Sequence, residues 1–148
     1  MCGHRDDSAY YDSEDYGNFQ VISCCADVIN QQIIAEIKQS KFYAILADEV
    51  TDCANKEQMP FVIRYVDKDC NIQERFLTYI LCDTGITGLA LQKKIVSYLT
   101  DELKLDLMDC RGQCYDGAGN MAGKYSGLST RILAMNDLAL YTHCASHR

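Results

Sequence analysis

Positive charge is scarce in this chain: 14 Lys and Arg stand against 21 Asp and Glu, a net of −7 over 148 residues. A surface built to neutralise phosphates has the opposite balance, which argues against tight nucleic-acid binding by these residues alone. Long hydrophobic runs are missing too. None approaches the roughly 20 residues of a membrane span, and no signal-peptide pattern opens the chain. Nine cysteines, an odd number, without a secretory signal point to free thiols in a reducing compartment. The expected location is the nucleus or cytoplasm; secretion is not expected. What is present is ordinary globular material, 48% hydrophobic and 24% charged, in a length that suits one core.

Residues 1–20 are polar and tyrosine-rich without helical or strand period, and read as a loose arm ahead of a domain over 21–148. From Asp27 to Ile37 the apolar residues Val28, Ile29, Ile33, Ile34 and Ile37 recur at helical spacing. Cys24 and Cys25 lie on the approach to this helix. As neighbours they point to different sides, which argues against a shared metal. Phe42 to Ala47 is a continuous apolar run, the pattern of a strand covered on both faces. Thr51 to Lys56 is a polar loop. The only proline, Pro60, opens a strand from Phe61 to Val66, a position where no ladder donor is lost. Asp67 to Asn71 has turn chemistry, and Ile72 to Leu81 is the returning strand of a hairpin. Asp83 or Thr84 is placed to cap the next helix, striped by Leu91, Ile95 and Leu99. Leu105 to Tyr115 reads as a fourth strand, 118–135 as a helix, and Leu138 to Cys144 as a short fifth strand. A hairpin feeding βαβ units implies an α/β fold with a mixed sheet and helices on its faces.

The chemistry concentrates where Tyr115-Asp116-Gly117-Ala118-Gly119-Asn120 turns from strand to helix. Open α/β sheets place ligands at the carboxyl ends of their strands. Asp48 ends the apolar run upstream, so parallel pairing of the two strands would bring Asp48 and Asp116 to one edge. Paired carboxylates there suit Mg²⁺ or Mn²⁺, hard cations that favour oxygen ligands and template phosphoryl displacement. The alternative is that both acids cap turns. Glu49 and Asp52 could contribute, but neither is specially placed.

Gly117 to Ala122 also fits the dinucleotide-binding pattern, with Asp137 about 20 residues on. Against it, Asp116 would repel a pyrophosphate, and the motif arrives too late for a full nucleotide-binding half. Cys110 and Cys114 with His143, Cys144 and His147 have zinc-like spacing. On a strand, however, four residues span about 13 Å, too far for the two cysteines to share one tetrahedral ion. A Cys144 nucleophile lacks a base, because adjacent strand residues face opposite sides and His143 points away from it.

The stretch FYAILADEVTD (Phe42 to Asp52), the block from Cys110 to Gly127 and the block from Ala139 to Arg148 resemble, in order, the ribonuclease H-like domain of hAT-type transposase-derived proteins. Within that family the likeness is to the transposase-like domain of zinc-finger MYM-type proteins and of repressors of the inhibitor of the protein kinase. Gly3 to Asp7 and Gly17 to Phe19 resemble landmarks ahead of the domain. The resemblance implies three antiparallel strands followed by α-β-α-β, and an acidic triad that holds two divalent metals for DNA strand cleavage and transfer. Asp48 matches the first acid and Asp116 the second, with Cys144 and His147 matching a C/D-x-x-H motif and Asn120 supporting the site. The family's third acid is a glutamate on a late helix, beyond Arg148, and Glu36, Glu57, Glu74 and Glu102 all precede its position. The expectation is therefore a truncated domain, incomplete at its carboxyl end, that keeps two of three acids and does not cut DNA. The rival expectation is a domesticated protein-interaction or self-association module that uses a sheet face the later helices would cover.

Overall fold

The computed structural model describes the backbone of residues 13–51 and 56–145. The chain divides into two compact units, 1–33 and 34–148. The first helix, α1, is Ser13–Ser40. It therefore includes residues 13–20, which the sequence pattern assigns to a loose arm, and reaches well beyond Asp27–Ile37. Backbone hydrogen bonding needs no apolar period, and Gly17 is the only Gly or Pro in the segment, so nothing stops the helix earlier. In the first unit Phe19, Val21, Ile22, Val28 and Ile29 are exposed, because among the described residues that unit holds this helix alone.

The second unit is built on one mixed sheet. Its strands are β1 (Tyr43–Ala47), β2 (Val50–Thr51), β3 (Glu57–Val66), β4 (Ile72–Leu81), β5 (Cys110–Tyr115) and β6 (Leu140–His143). The spatial order is β4-β3-β1-β5-β6, and the two-residue β2 pairs the start of β3. The β1–β3 and β3–β4 pairs are antiparallel, whereas β1–β5 and β5–β6 are parallel. This is the expected meander followed by parallel additions, an RNase-like α/β arrangement.

Three helices follow the meander: α2 (Gly88–Ser97), α3 (Gly119–Ala122) and α4 (Leu128–Met135). The last turn of α2 widens into a π-helical segment, Tyr98–Glu102. On one sheet face Tyr43, Ile45, Met59, Phe61, Ile63 and Tyr65 are buried, as are Leu91, Ile95, Leu99, Leu128 and Ile132 of the helices. Tyr98 meets Phe61 edge-on, ring centroids 5.4 Å apart. The other face differs from the expectation of double cover. Ala44, Leu46, Val62 and Cys114 are half-buried there, and Phe76, Tyr79 and Leu140 are exposed.

β6 is shorter than the expected Leu138 to Cys144, and four further features differ from the sequence reading, each for a local reason. Pro60 lies inside β3, which starts at Glu57. It falls in the gap between the β1 ladder, ending at Phe61↔Ala47, and the β2 ladder, ending at Gln58↔Val50, where a missing donor is tolerated. Thr87, not Asp83 or Thr84, caps α2 by accepting from the Ala90 amide at 3.2 Å. Asp83 instead pairs with Lys94 at 2.5 Å. β5 starts only at Cys110, after a 3₁₀ turn over Leu107–Asp109. The long helix expected over 118–135 is broken into α3 and α4 by Gly123 to Gly127. There the Gly127 amide bonds the Gly123 carbonyl at 3.0 Å, and a Cβ on Gly127 would lie 2.4 Å from the Gly123 nitrogen.

Candidate acidic strand-end site

The parallel ladder of β1 and β5 runs Ala44↔Gly112, Ile45↔Gln113, Leu46↔Cys114. Two residues further along each chain lie Asp48 and Asp116. The register thus carries both acids to the carboxyl edge of the sheet, where neighbouring strands end together. β6 ends on the same side, with Tyr115↔His143 as its last pair. The loop bearing Asp52 to Asn55 lies outside the described residues, as does His147.

Each acid is tied into its own turn. Asp48 Oδ1 accepts from the Glu49 amide at 2.9 Å, and Asp116 Oδ1 accepts from the Ala118 amide at 3.2 Å. Tyr141, its ring stacked on Tyr115, donates its hydroxyl to the Asp116 carbonyl at 3.0 Å. Gly117 allows close approach: a Cβ there would come within 2.9 Å of His143 Nε2. His143 Nδ1 lies 3.0 Å from the Cys144 carbonyl.

Glu49 is the residue that sequence spacing underrated. Burial, then the Asp116 and Glu57 carboxylates, pushes its carboxyl above the usual glutamate range, with Asp48 adding to the rise. The Asn120 amide opposes this by donating to Glu49 Oε1. Four carboxylates therefore share this edge within electrostatic reach. The only sequence signal was the adjacency of Glu49 to Asp48, since its partner is 71 residues away.

Cys144 is half-buried just past β6, and its amide donates to the Tyr115 carbonyl at 2.8 Å. Burial, and then the neighbouring Cys144, pushes the Cys114 thiol up. Those two thiols are the pair brought together; Cys110 is buried at the far end of β5. With both Cys110 and Cys114 on one strand, the zinc arrangement loses its geometry. Among the described residues no group of three or more His, Cys, Asp and Glu is placed to hold a metal ion as the side chains lie. The four residues of α3 are too short a helix to supply the anion-binding terminus a dinucleotide fold requires. No helix among the described residues is long and apolar enough to cross a membrane.

Comparison with known proteins bears on the same residues. A family model, DUF4371, described as the ZMYM1/FAM200 RNase-like domain, matches residues 10–127. The chain is 29% identical over 127 residues to the 52 kDa repressor of the inhibitor of the protein kinase of Homo sapiens, an alignment covering 86% of this chain and 16% of that protein. The protein of the same name from Mus musculus is 29% identical over 126 residues, covering 85% of this chain and 16% of its own length. The chain thus spans about one sixth of the length of these relatives.

Proposed function

Because this chain belongs to the ZMYM1/FAM200 RNase-like domain family, we propose that its acidic strand edge is a weak divalent-cation site inherited from an hAT-type transposase. The observation that carries this reading is the parallel β1–β5 register, which aligns Asp48 and Asp116 at one edge. The donor set fits Mg²⁺ or Mn²⁺ in chemistry: carboxylate oxygens on rigid strand ends, with Glu49 and Glu57 adding negative field. It does not amount to a preformed three-ligand cage among the described residues. A bound cation would polarise a phosphoryl oxygen, whereas these residues alone hold it weakly and leave DNA uncut. Cys144, just past β6, is a supporting residue of this edge, His147 takes the same role by its match to the C/D-x-x-H motif alone, and a nucleus-located protein acting near DNA is the matching context.

The test is a thermal melt by circular dichroism with and without Mn²⁺, on the parent and on Asp48→Asn, alongside cleavage of a labelled DNA duplex. Mn²⁺ should raise the parent's melting temperature and leave Asp48→Asn unmoved, because linkage stabilises only the state that binds. Equal shifts in both proteins, or cleavage that vanishes in Asp48→Asn, would refute the reading in its binding or its inactivity respectively.

A second reading, a protein-interaction or self-association module, is favoured by the sheet face on which Phe76, Tyr79, Ile72 and Leu140 are exposed. Light scattering separates the two: a concentration-independent monomer removes self-association.

A further inference from the structure

We infer that Asn120 is a positioning residue that fastens the acidic end of β1 to the Asp116 turn and so sets the cation affinity of the edge, an inference that rests on the cation-site reading above. Asn120 Nδ2 carries two hydrogens and both are used. One goes to Glu49 Oε1 and the other to the Ile86 carbonyl at 2.9 Å. A carboxylate and a carbonyl can only accept, so the amide has a single workable orientation. One side chain thereby joins three separate pieces of chain: the residues after β1, the loop before α2, and α3 four residues past Asp116.

These bonds close a ring. Asp48 and Glu49 leave β1, Asn120 grips Glu49, and residues 117–119 lead back to Asp116 at the end of β5, which pairs with β1. The Asp116 side of the ring is held by its bond from the Ala118 amide and by Tyr141 on its carbonyl. Charge alone would open the ring, because the Asp116, Glu57 and Asp48 carboxylates each repel Glu49. Asn120 is a neutral double donor set against that repulsion. Its contribution to cation binding is therefore one of geometry: it adds no charge, and it keeps the two acid-bearing ends from splaying.

The substitution that separates geometry from charge is Asn120→Asp. It keeps the shape, replaces the donor with an acceptor and adds a negative charge. If field strength governs the edge, the variant binds Mn²⁺ more tightly than the parent. If the fastening governs it, binding weakens about tenfold, the worth of one charge-assisted hydrogen bond, despite the extra charge. Titration of the whole chain followed by the paramagnetic resonance signal of free Mn²⁺ reads the difference. Equal or tighter binding by Asn120→Asp overturns the inference.

Amide hydrogen exchange without metal, on Asn120→Ala, supplies an independent readout. Exchange should quicken jointly at Glu49 and across residues 117–121 while β3 and β4 keep their protection. Unchanged exchange at those positions, or acceleration through the whole sheet, overturns the inference. If the parent binds no Mn²⁺, the cation reading fails, and the fastening role stands or falls on the exchange data.

Discussion

Asn136 is 1% exposed, and its side chain satisfies three backbone groups at once. Its amide donates to the Leu107 and Cys110 carbonyls, both at 2.8 Å, and its carbonyl accepts from the Leu138 amide at 3.0 Å. These bonds fix the entry to β5 against the end of α4, and β5 in turn carries Asp116. Asn136→Leu keeps most of the volume and removes all three. At about 1 kcal/mol for each net hydrogen bond the loss is about 3 kcal/mol. The Leu107 carbonyl keeps the Cys110 amide and the Cys110 carbonyl keeps Arg111, so neither is orphaned completely. Added apolar burial offsets part of the rest, leaving about 2 kcal/mol, a large fraction of the 5–15 kcal/mol typical of a domain. In urea unfolding followed by circular dichroism the midpoint should fall by about 1–2 M with an unchanged slope. Asn136→Asp should be at least as damaging at neutral pH, because a carboxylate would face two carbonyls. It should recover partly in acid, where the protonated group can donate to one of them. A loss below about 0.5 kcal/mol for Asn136→Leu, the size of an ordinary surface substitution, would refute the account.

Gly127→Ala should destabilise the domain by about 1–3 kcal/mol, since its Cβ would fall 2.4 Å from the Gly123 nitrogen and backbone must move; Gly17→Ala, with open space around it, should do no harm in the same melt. Asp67 accepts from the amides of Asp69 at 3.0 Å and Asn71 at 2.8 Å and from the Gln73 side chain at 2.7 Å. The Asn71 amide foremost, then Gln73, holds its carboxyl below the usual aspartate range. A lowered folded value means the stabilisation is present above the unfolded value and is lost as pH falls through the folded one. Asp67→Asn should therefore melt below the parent at pH 7, with the gap closing in strong acid; a gap independent of pH would refute it.

Much of this architecture was legible in residue order because its signals are local. The apolar run before Asp48, the turn at Asp67 to Asn71 and the returning strand Ile72–Leu81 each follow from short-range periodicity and turn chemistry, and the structure places β1 and β4 there. The juxtaposition of Asp48 with Asp116 needed only one further assumption, parallel pairing, which the β1–β5 ladder supplies. The break between α3 and α4 is not legible in the apolar spacing of Leu128, Ile132 and Met135, because it rests on the close backbone approach of Gly127 to Gly123.

The fold class, the family and the two acids following adjacent strands can be read from residue order. Which polar side chains stand beside those acids depends on how distant segments pack. Glu49 and Asn120 are 71 residues apart, and Asn136 reaches Leu107 and Cys110 across 29 and 26 residues. Periodicity reports which face of an element turns inward, because that depends on neighbours three or four residues away. A hydrogen bond between distant segments depends on the packing of whole elements, and a lone asparagine carries no sign of its partner until the chain has closed around it.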